Sequence, residues 1–180
     1  NSCMGYEIPG AIGAKLGDPA RHVWCFIGDG TYLMMPQELL TAVQEKLKMT
    51  VVIVDNRGYG SIAALSNSLG GQEFGTRFFE RSSDGRLAGP MLEVDFAANA
   101  RSYGAEVFSA STARELREAL AAAKEYDGLS VIYVQVDSQA RFGGSGAWWD
   151  VPMAAVSDVD TTIAAREVYD AHKSRQRLYL

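Results

Sequence analysis

Apolar and polar positions along this chain fall into blocks whose period changes from one stretch to the next. Val23-Trp24-Cys25-Phe26-Ile27 is short and wholly apolar, which predicts a strand buried on both faces. Gly28-Asp29-Gly30 ends it. Pro36-Gln37-Glu38 then opens a helix with Leu39, Leu40, Val43 and Leu47 on one face. Glu38 sits in its first turn and Lys46 and Lys48 in its last, as the helix dipole favours. Thr50-Val51-Val52-Ile53-Val54 reads as a second buried strand, ending at Asp55-Asn56. Strand, loop, helix and strand within about 35 residues predict a βαβ unit with parallel strands.

The same reading extends in both directions. Residues 5–17 are rich in Gly and Ala, and Pro9 suits the first turn of a helix, where its missing N–H is harmless. Residues 58–75 look like loop, with a short helix around 62–65. Residues 70–90 hold five glycines and both charge signs, and read as an irregular excursion. A helix is expected over 94–103 and a strand over 105–108. Ser111 or Thr112 can cap a helix running to about Tyr126, with Leu116 and Leu120 facing inward. Residues 129–136 form a last buried strand. The pattern predicts a doubly wound, mostly parallel α/β sheet with helices on both faces. That domain spans 1–137. A C-terminal extension, 138–180, carries Gly143-Gly144-Ser145-Gly146, Trp148-Trp149-Asp150 and a helix near 160–173.

Composition narrows the function classes. The 180 residues are 47% hydrophobic and 22% charged, a globular balance. A net charge of −5 argues against a nucleic-acid coat, and no apolar run approaches a membrane span. No secretory signal is visible. Two cysteines, Cys3 and Cys25, form neither a disulfide framework nor a zinc spacing, so a cytoplasmic setting is expected. The chain opens on Asn, which suggests a piece of a longer protein. There is no G-x-G-x-x-G after a strand and no G-x-S-x-G elbow, which removes the dinucleotide-binding and nucleophile-elbow readings. His22 and His172 read as plain surface or core residues. Arg77, Arg81 and Arg86 could meet an anionic group, but a solvated loop face is the favoured reading of the three.

Ligands in parallel sheets sit beyond the carboxyl ends of strands. Two polar clusters fall there, Gly28-Asp29-Gly30-Thr31 and Asp55-Asn56-Arg57-Gly58. A carboxylate, an amide oxygen and a backbone carbonyl make a hard oxygen set suited to Mg²⁺, which completes its shell with phosphate oxygens and water. Glycines let the backbone approach a diphosphate closely.

Gly28-Asp29-Gly30, then 25 residues, then Asn56 resembles the cofactor motif of the thiamine diphosphate-dependent enzymes. The resemblance implies Asp29, Asn56 and the Gly58 carbonyl as metal ligands. It implies Gly28, Gly30, Thr31 and Gly60 as cofactor-binding residues. Residues 2–14 are similar to the stretch before the first helix of the family's diphosphate domain, which makes Met4 the apolar residue on which the cofactor bends. Asp55 departs from the second Asn often found there. Asp55-Asn56-Arg57-Gly58-Tyr59-Gly60-Ser61-Ile62, Phe74-Gly75-Thr76, Val94-Asp95-Phe96-Ala97-Ala98-Asn99-Ala100 and Trp148-Trp149-Asp150-Val151 resemble the trihydroxycyclohexane-1,2-dione hydrolases of inositol catabolism.

That resemblance implies C–C cleavage of a cyclic diketone to a 5-deoxy-glucuronate. It also implies pyrimidine-binding and middle domains that this chain lacks. The activating Glu belongs to the pyrimidine-binding domain, contributed by another subunit of a homodimer or homotetramer. No catalytic residue is therefore assigned in this chain, and alone it is expected to be an inactive half-site. An acetolactate synthase-like carboligase, or a module that binds the cofactor without catalysis, stays open.

Overall fold

The computed structural model describes residues 3–138, 140, 151 and 153–177. Gly143-Gly144-Ser145-Gly146 and Trp148-Trp149-Asp150 lie outside the described residues. From the N-terminal end the elements are α1 (Glu7–Gly17), β1 (Val23–Gly28), α2 (Asp29–Tyr32), α3 (Glu38–Gln44), β2 (Met49–Asp55) and α4 (Gly60–Ser68). A hairpin, β3 (Phe79–Arg81) and β4 (Leu87–Met91), follows. Then come α5 (Phe96–Ser102), β5 (Glu106–Ala110), α6 (Ala113–Glu125), β6 (Leu129–Gln135) and α7 (Asp160–Lys173).

β1, β2, β6 and β5 pair in that order, all parallel. Because side chains alternate across a strand, β2 sends Val51 and Ile53 to one face and Val52 to the other. Ile8 and Ile12 of α1, Leu39 and Ala42 of α3, and Phe96 and Ala100 of α5 join the first face. Ala119 and Ala123 of α6 pack with Val52 and Ile132 on the second. The α/β sheet with helices on both faces is therefore the fold, and the buried hydroxyls of Thr50 and Ser130 pair across its centre at 2.9 Å.

Several expectations need correction. Phe26 is 65% exposed, not buried. α6 lies over β5 and β6, which leaves that part of β1 open. The helix expected to carry Lys46 and Lys48 in its last turn stops at Gln44. Lys46 turns the chain with φ +53°, so Leu47 reaches the core through the turn while Leu40 stays exposed. The irregular excursion over 70–90 contains the β3–β4 hairpin. Its Asp84-Gly85 pair is a turn signal, with Gly85 N–H donating to the Ser82 carbonyl and φ at +84°. Charged positions and Pro90 had masked the strands.

α4 is also longer than the short helix expected there. The tail helix α7 falls where expected, and the Thr161 and Thr162 hydroxyls fasten its start to the Gly70 carbonyl at 2.7 and 2.8 Å. No helix among the described residues is long and apolar enough to cross a membrane.

The cap of α6 is Thr112. Its hydroxyl accepts from Glu115 N–H while the Glu115 carboxylate accepts from Thr112 N–H, a reciprocal capping box. Thr112→Ala should lower the unfolding free energy by about 1 kcal/mol. Denaturant midpoints compared with those of Ser111→Ala will test this, since Ser111 makes no cap.

Candidate functional site

The eight residues proposed from sequence converge. Met4, Gly28, Asp29, Gly30, Thr31, Asn56, Gly58 and Gly60 all line one cavity of about 510 Å³ at the carboxyl ends of β1 and β2. The parallel register explains it. Gly28 pairs with Val54, so the chains leaving both strands emerge side by side.

Asp29 follows β1 directly and is 0% exposed. One carboxylate oxygen, Oδ2, accepts from Gly58 N–H at 2.7 Å. The other, Oδ1, is buried with no hydrogen-bond partner among the described residues, and the same holds for Asn56 Oδ1. Buried acceptors are almost always satisfied, so two orphaned oxygens on neighbouring strand ends mark a place for something that accepts electron pairs. A hard divalent cation fits these atoms better than a protein donor would. No group of three or more His, Cys, Asp or Glu that could hold a metal occurs among the described residues. A cation held here would therefore draw several ligands from elsewhere, which suits Mg²⁺ on a diphosphate.

The two loops are locked by close approaches. A Cβ on Gly30 would stand 2.7 Å from the Tyr59 ring, and one on Gly60 would stand 2.7 Å from the Asn56 amide nitrogen. Gly58 adopts φ +150° and forms an isolated antiparallel bridge with Arg77. Tyr59 N–H donates to the Thr76 carbonyl at 2.8 Å, continuing that contact. A Cβ on Gly28 meets nothing within 4 Å, so the cavity has room for a ligand beside it.

Burial pushes the Asp29 carboxyl up to about 6. The neighbouring Asp55 carboxylate adds to that, while the Gly58 and Gly30 N–H groups oppose it. Asp55 is itself buried and holds Arg57 N–H at 2.8 Å and the Tyr133 hydroxyl at 2.7 Å. It thus has both oxygens engaged where Asp29 has one free. That difference supports Asp29, and not Asp55, as the group available to a cation.

Five lining residues were not assigned to the site from the sequence: Glu7, Tyr59, Ser61, Ile62 and Leu65. Ile62 and Leu65 lie three apart on α4 and are 46% and 54% exposed, so the cavity mouth is apolar and open. Their helical spacing was the available signal. Glu7 spends Oε2 on the Gly5 N–H at 2.9 Å, which shapes the turn behind Met4. Arg77 corrects the loop-arginine reading: its side chain is 4% exposed. Arg86, by contrast, is a solvated side chain.

Comparison with known proteins agrees with this geometry. The family described as "Thiamine pyrophosphate enzyme, C-terminal TPP binding domain" matches residues 1–134. The chain is 38% identical over 179 residues to "3D-(3,5/4)-trihydroxycyclohexane-1,2-dione hydrolase 2" of Bacillus cereus, covering 99% of this chain and 28% of that protein. It is 38% identical over 178 residues to the hydrolase of the same name from Clostridium perfringens, with the same coverage. It therefore spans little more than a quarter of the length of these relatives. Among solved structures, a thiamine diphosphate-dependent 4-hydroxybenzoylformate decarboxylase of Rhodococcus jostii superposes with a TM-score of 0.64 at 27% identity, over 74% of this chain and 23% of that one. A benzoylformate decarboxylase from Polynucleobacter necessarius, at 23% identity and the same TM-score, covers 77% of this chain and 24% of its own and shares the fold. With matched strand ends, converging glycines and a family match across most of its length, this chain belongs to the thiamine pyrophosphate enzymes, as their C-terminal cofactor-binding domain.

Proposed function

We propose that this chain is the diphosphate- and Mg²⁺-binding part of a hydrolase that opens trihydroxycyclohexane-1,2-dione by C–C cleavage, yielding a 5-deoxy-glucuronate in inositol catabolism. The observation that carries the reading is the 38% identity across almost the whole chain to hydrolases of that name. Thiamine diphosphate, when bound, supplies the carbon nucleophile and electron sink that such cleavage needs. This chain's part is to hold and orient it. Asp29 Oδ1, Asn56 Oδ1 and the Gly58 carbonyl are the proposed metal ligands, and the two orphaned side-chain oxygens support that assignment. Asp29 acts as a ligand and not as a base. Gly28, Gly30, Thr31 and Gly60 flank the diphosphate, and their shared place in the lining of one cavity supports this.

The domain is proposed to work with a pyrimidine-binding domain from another subunit, in a homodimer or homotetramer, that carries the activating Glu. The open apolar mouth at Ile62 and Leu65 is consistent with such a cover. We place the protein in the cytoplasm. The test is to incubate the full-length protein that contains this chain with thiamine diphosphate, Mg²⁺ and the dione, and to follow loss of dione and release of acid. Dione consumption is expected. Condensation of pyruvate without dione hydrolysis would overturn the reading in favour of a carboligase. Cofactor binding with turnover of neither would mark a binding module.

Met4 gives a sharper check. It is half-buried and lines the cavity, where a wedge under a bent cofactor would act by shape. Met4→Leu should keep most activity because volume and apolarity change little. Met4→Ala should lower turnover by on the order of 100-fold, since a reacting group displaced by about 1 Å loses that much, with Mg²⁺ affinity unchanged. Turnover per folded site, measured beside melting temperature, separates a wedge from ordinary packing, which would lower only the melting temperature.

A further inference from the structure

The segment after α4 carries a buried cation whose position the cavity lining does not explain. The Arg77 side chain is 4% exposed. Its Nε donates to Glu73 Oε2 at 3.1 Å, and its Nη1 donates to the Asn56 carbonyl at 3.0 Å. Glu73 is held in turn by the Asn67 amide of α4 at 2.6 Å. The backbone of the same arginine bridges Gly58, and the Thr76 carbonyl accepts from Tyr59 N–H. Residues 76 and 77 therefore splint the whole turn 56–59 from outside, while Gly60 closes on the Asn56 amide from the other side. Removing a guanidinium from water is costly unless it is well paired. Here Nη2 is left buried without a partner among the described residues, so pairing is incomplete. Simple packing would favour an apolar residue in that place.

We infer that Arg77 is a positioning residue for the metal site: its guanidinium, oriented by Glu73, fixes the main chain at Asn56 so that Asn56 Oδ1 stays aligned with Asp29 Oδ1. The inference rests on the metal reading proposed above. The orphaned oxygens can share one cation only if the turn carrying Asn56 keeps its place against the loop carrying Asp29. The Asp29–Gly58 hydrogen bond supplies one tether. The Arg77–Asn56 bond supplies the second. A planar fork reaching a carboxylate and a carbonyl at once cannot be reproduced by a single ammonium. Lysine at 77 would keep the charge and lose the geometry.

The experiment measures, by calorimetry on the intact protein, how much Mg²⁺ is needed for half-maximal thiamine diphosphate binding. Melting temperature of the metal-free protein is recorded beside it. Arg77→Lys is expected to raise the half-saturating Mg²⁺ on the order of 10-fold, the usual effect of removing a partner that orients a ligand, with little change in melting temperature. Glu73→Gln should move it in the same direction by less. Arg81→Lys, on the exposed hairpin, should change nothing. A lower melting temperature with unchanged Mg²⁺ requirement in the folded fraction would make Arg77 a plain structural residue and overturn the inference. If Arg77→Lys does not fold, Glu73→Gln decides: a raised requirement supports the role and an unchanged one removes it. Asp29→Ala separates the two levels. Persisting Mg²⁺ dependence in Asp29→Ala would remove the metal reading and the Arg77 role together. Lost dependence there, with Arg77→Lys and Glu73→Gln unaltered, would remove the Arg77 role alone.

Discussion

Asp29→Asn is expected to abolish Mg²⁺-dependent thiamine diphosphate binding while making the metal-free protein more stable at pH 7. Asn keeps the shape and an acceptor for Gly58 N–H but removes the only formal anion among the proposed ligands. The stability gain follows from burial. With the Asp29 carboxyl pushed up to about 6 from its ordinary 3.8, the folded protein binds this proton more tightly than the unfolded chain does. Folding stability from this group is thus fully present below pH 4 and is lost as pH rises through 6. At pH 7 the loss is at most about 3 kcal/mol, since each tenfold change in proton affinity is worth about 1.4 kcal/mol. Asn escapes that loss, so the variant should gain about 1–3 kcal/mol at pH 7 and nothing below pH 4. Denaturant midpoints from pH 4 to 8, taken without metal, together with calorimetric titration of Mg²⁺, test both halves. An unaltered Mg²⁺ requirement would sink the ligand assignment. A less stable variant at pH 7 would sink the burial argument.

Gly58→Ala should damage the same site by the opposite route, losing both metal binding and stability at every pH. At φ +150° the new Cβ would stand 2.3 Å from the Thr76 carbonyl oxygen and 3.0 Å from the Arg77 Cα. Both are backbone atoms, so no side-chain rotation relieves the clash. The turn must shift, and the Asp29–Gly58 hydrogen bond and the bridge to Arg77 go with it. Strain of this kind costs on the order of 3 kcal/mol. For stability alone Gly28→Ala is the matched control, because its Cβ meets no protein atom within 4 Å. A thermal melt of the two variants beside the parent decides the matter. Equal melting temperatures for Gly58→Ala and the parent would refute the packing described for this turn.

Strands β2 and β6 were legible because a parallel sheet covered on both faces demands continuous apolar runs, and β1 carries such a run although one of its faces is open at Phe26. A cap at Ser111 or Thr112 and the helix near 160–173 were legible because they depend on a few consecutive side chains; the choice of Thr112 and its reciprocal pairing with Glu115 came from the structure. The hairpin over 79–91 was not, because β3 and β4 lie outside the main sheet, β3 is only Phe79-Glu80-Arg81, and β4 is interrupted by Gly89 and Pro90, so neither gives a long apolar run. Phe26 misled because a side chain's burial depends on what covers its strand, and on that face α6 lies over β5 and β6, not over β1.

For the site, spacing alone brought Asp29 and Asn56 to adjacent strand ends, since a βαβ unit leaves the two chain exits side by side. Residue types then supplied the chemistry: two hard oxygens among glycines that a backbone-hugging ligand would need. Arg77 stayed invisible. It lies 21 residues from Asn56 in a stretch with no apolar period, and whether an arginine is solvated or buried is settled by neighbours distant in sequence. The free oxygens on Asp29 and Asn56, against the engaged ones on Asp55, are likewise tertiary facts. Local pattern specifies where strands and caps form, because those depend on a few consecutive side chains. Which polar atoms remain unpaired depends on how separate loops pack, and only the folded chain decides that.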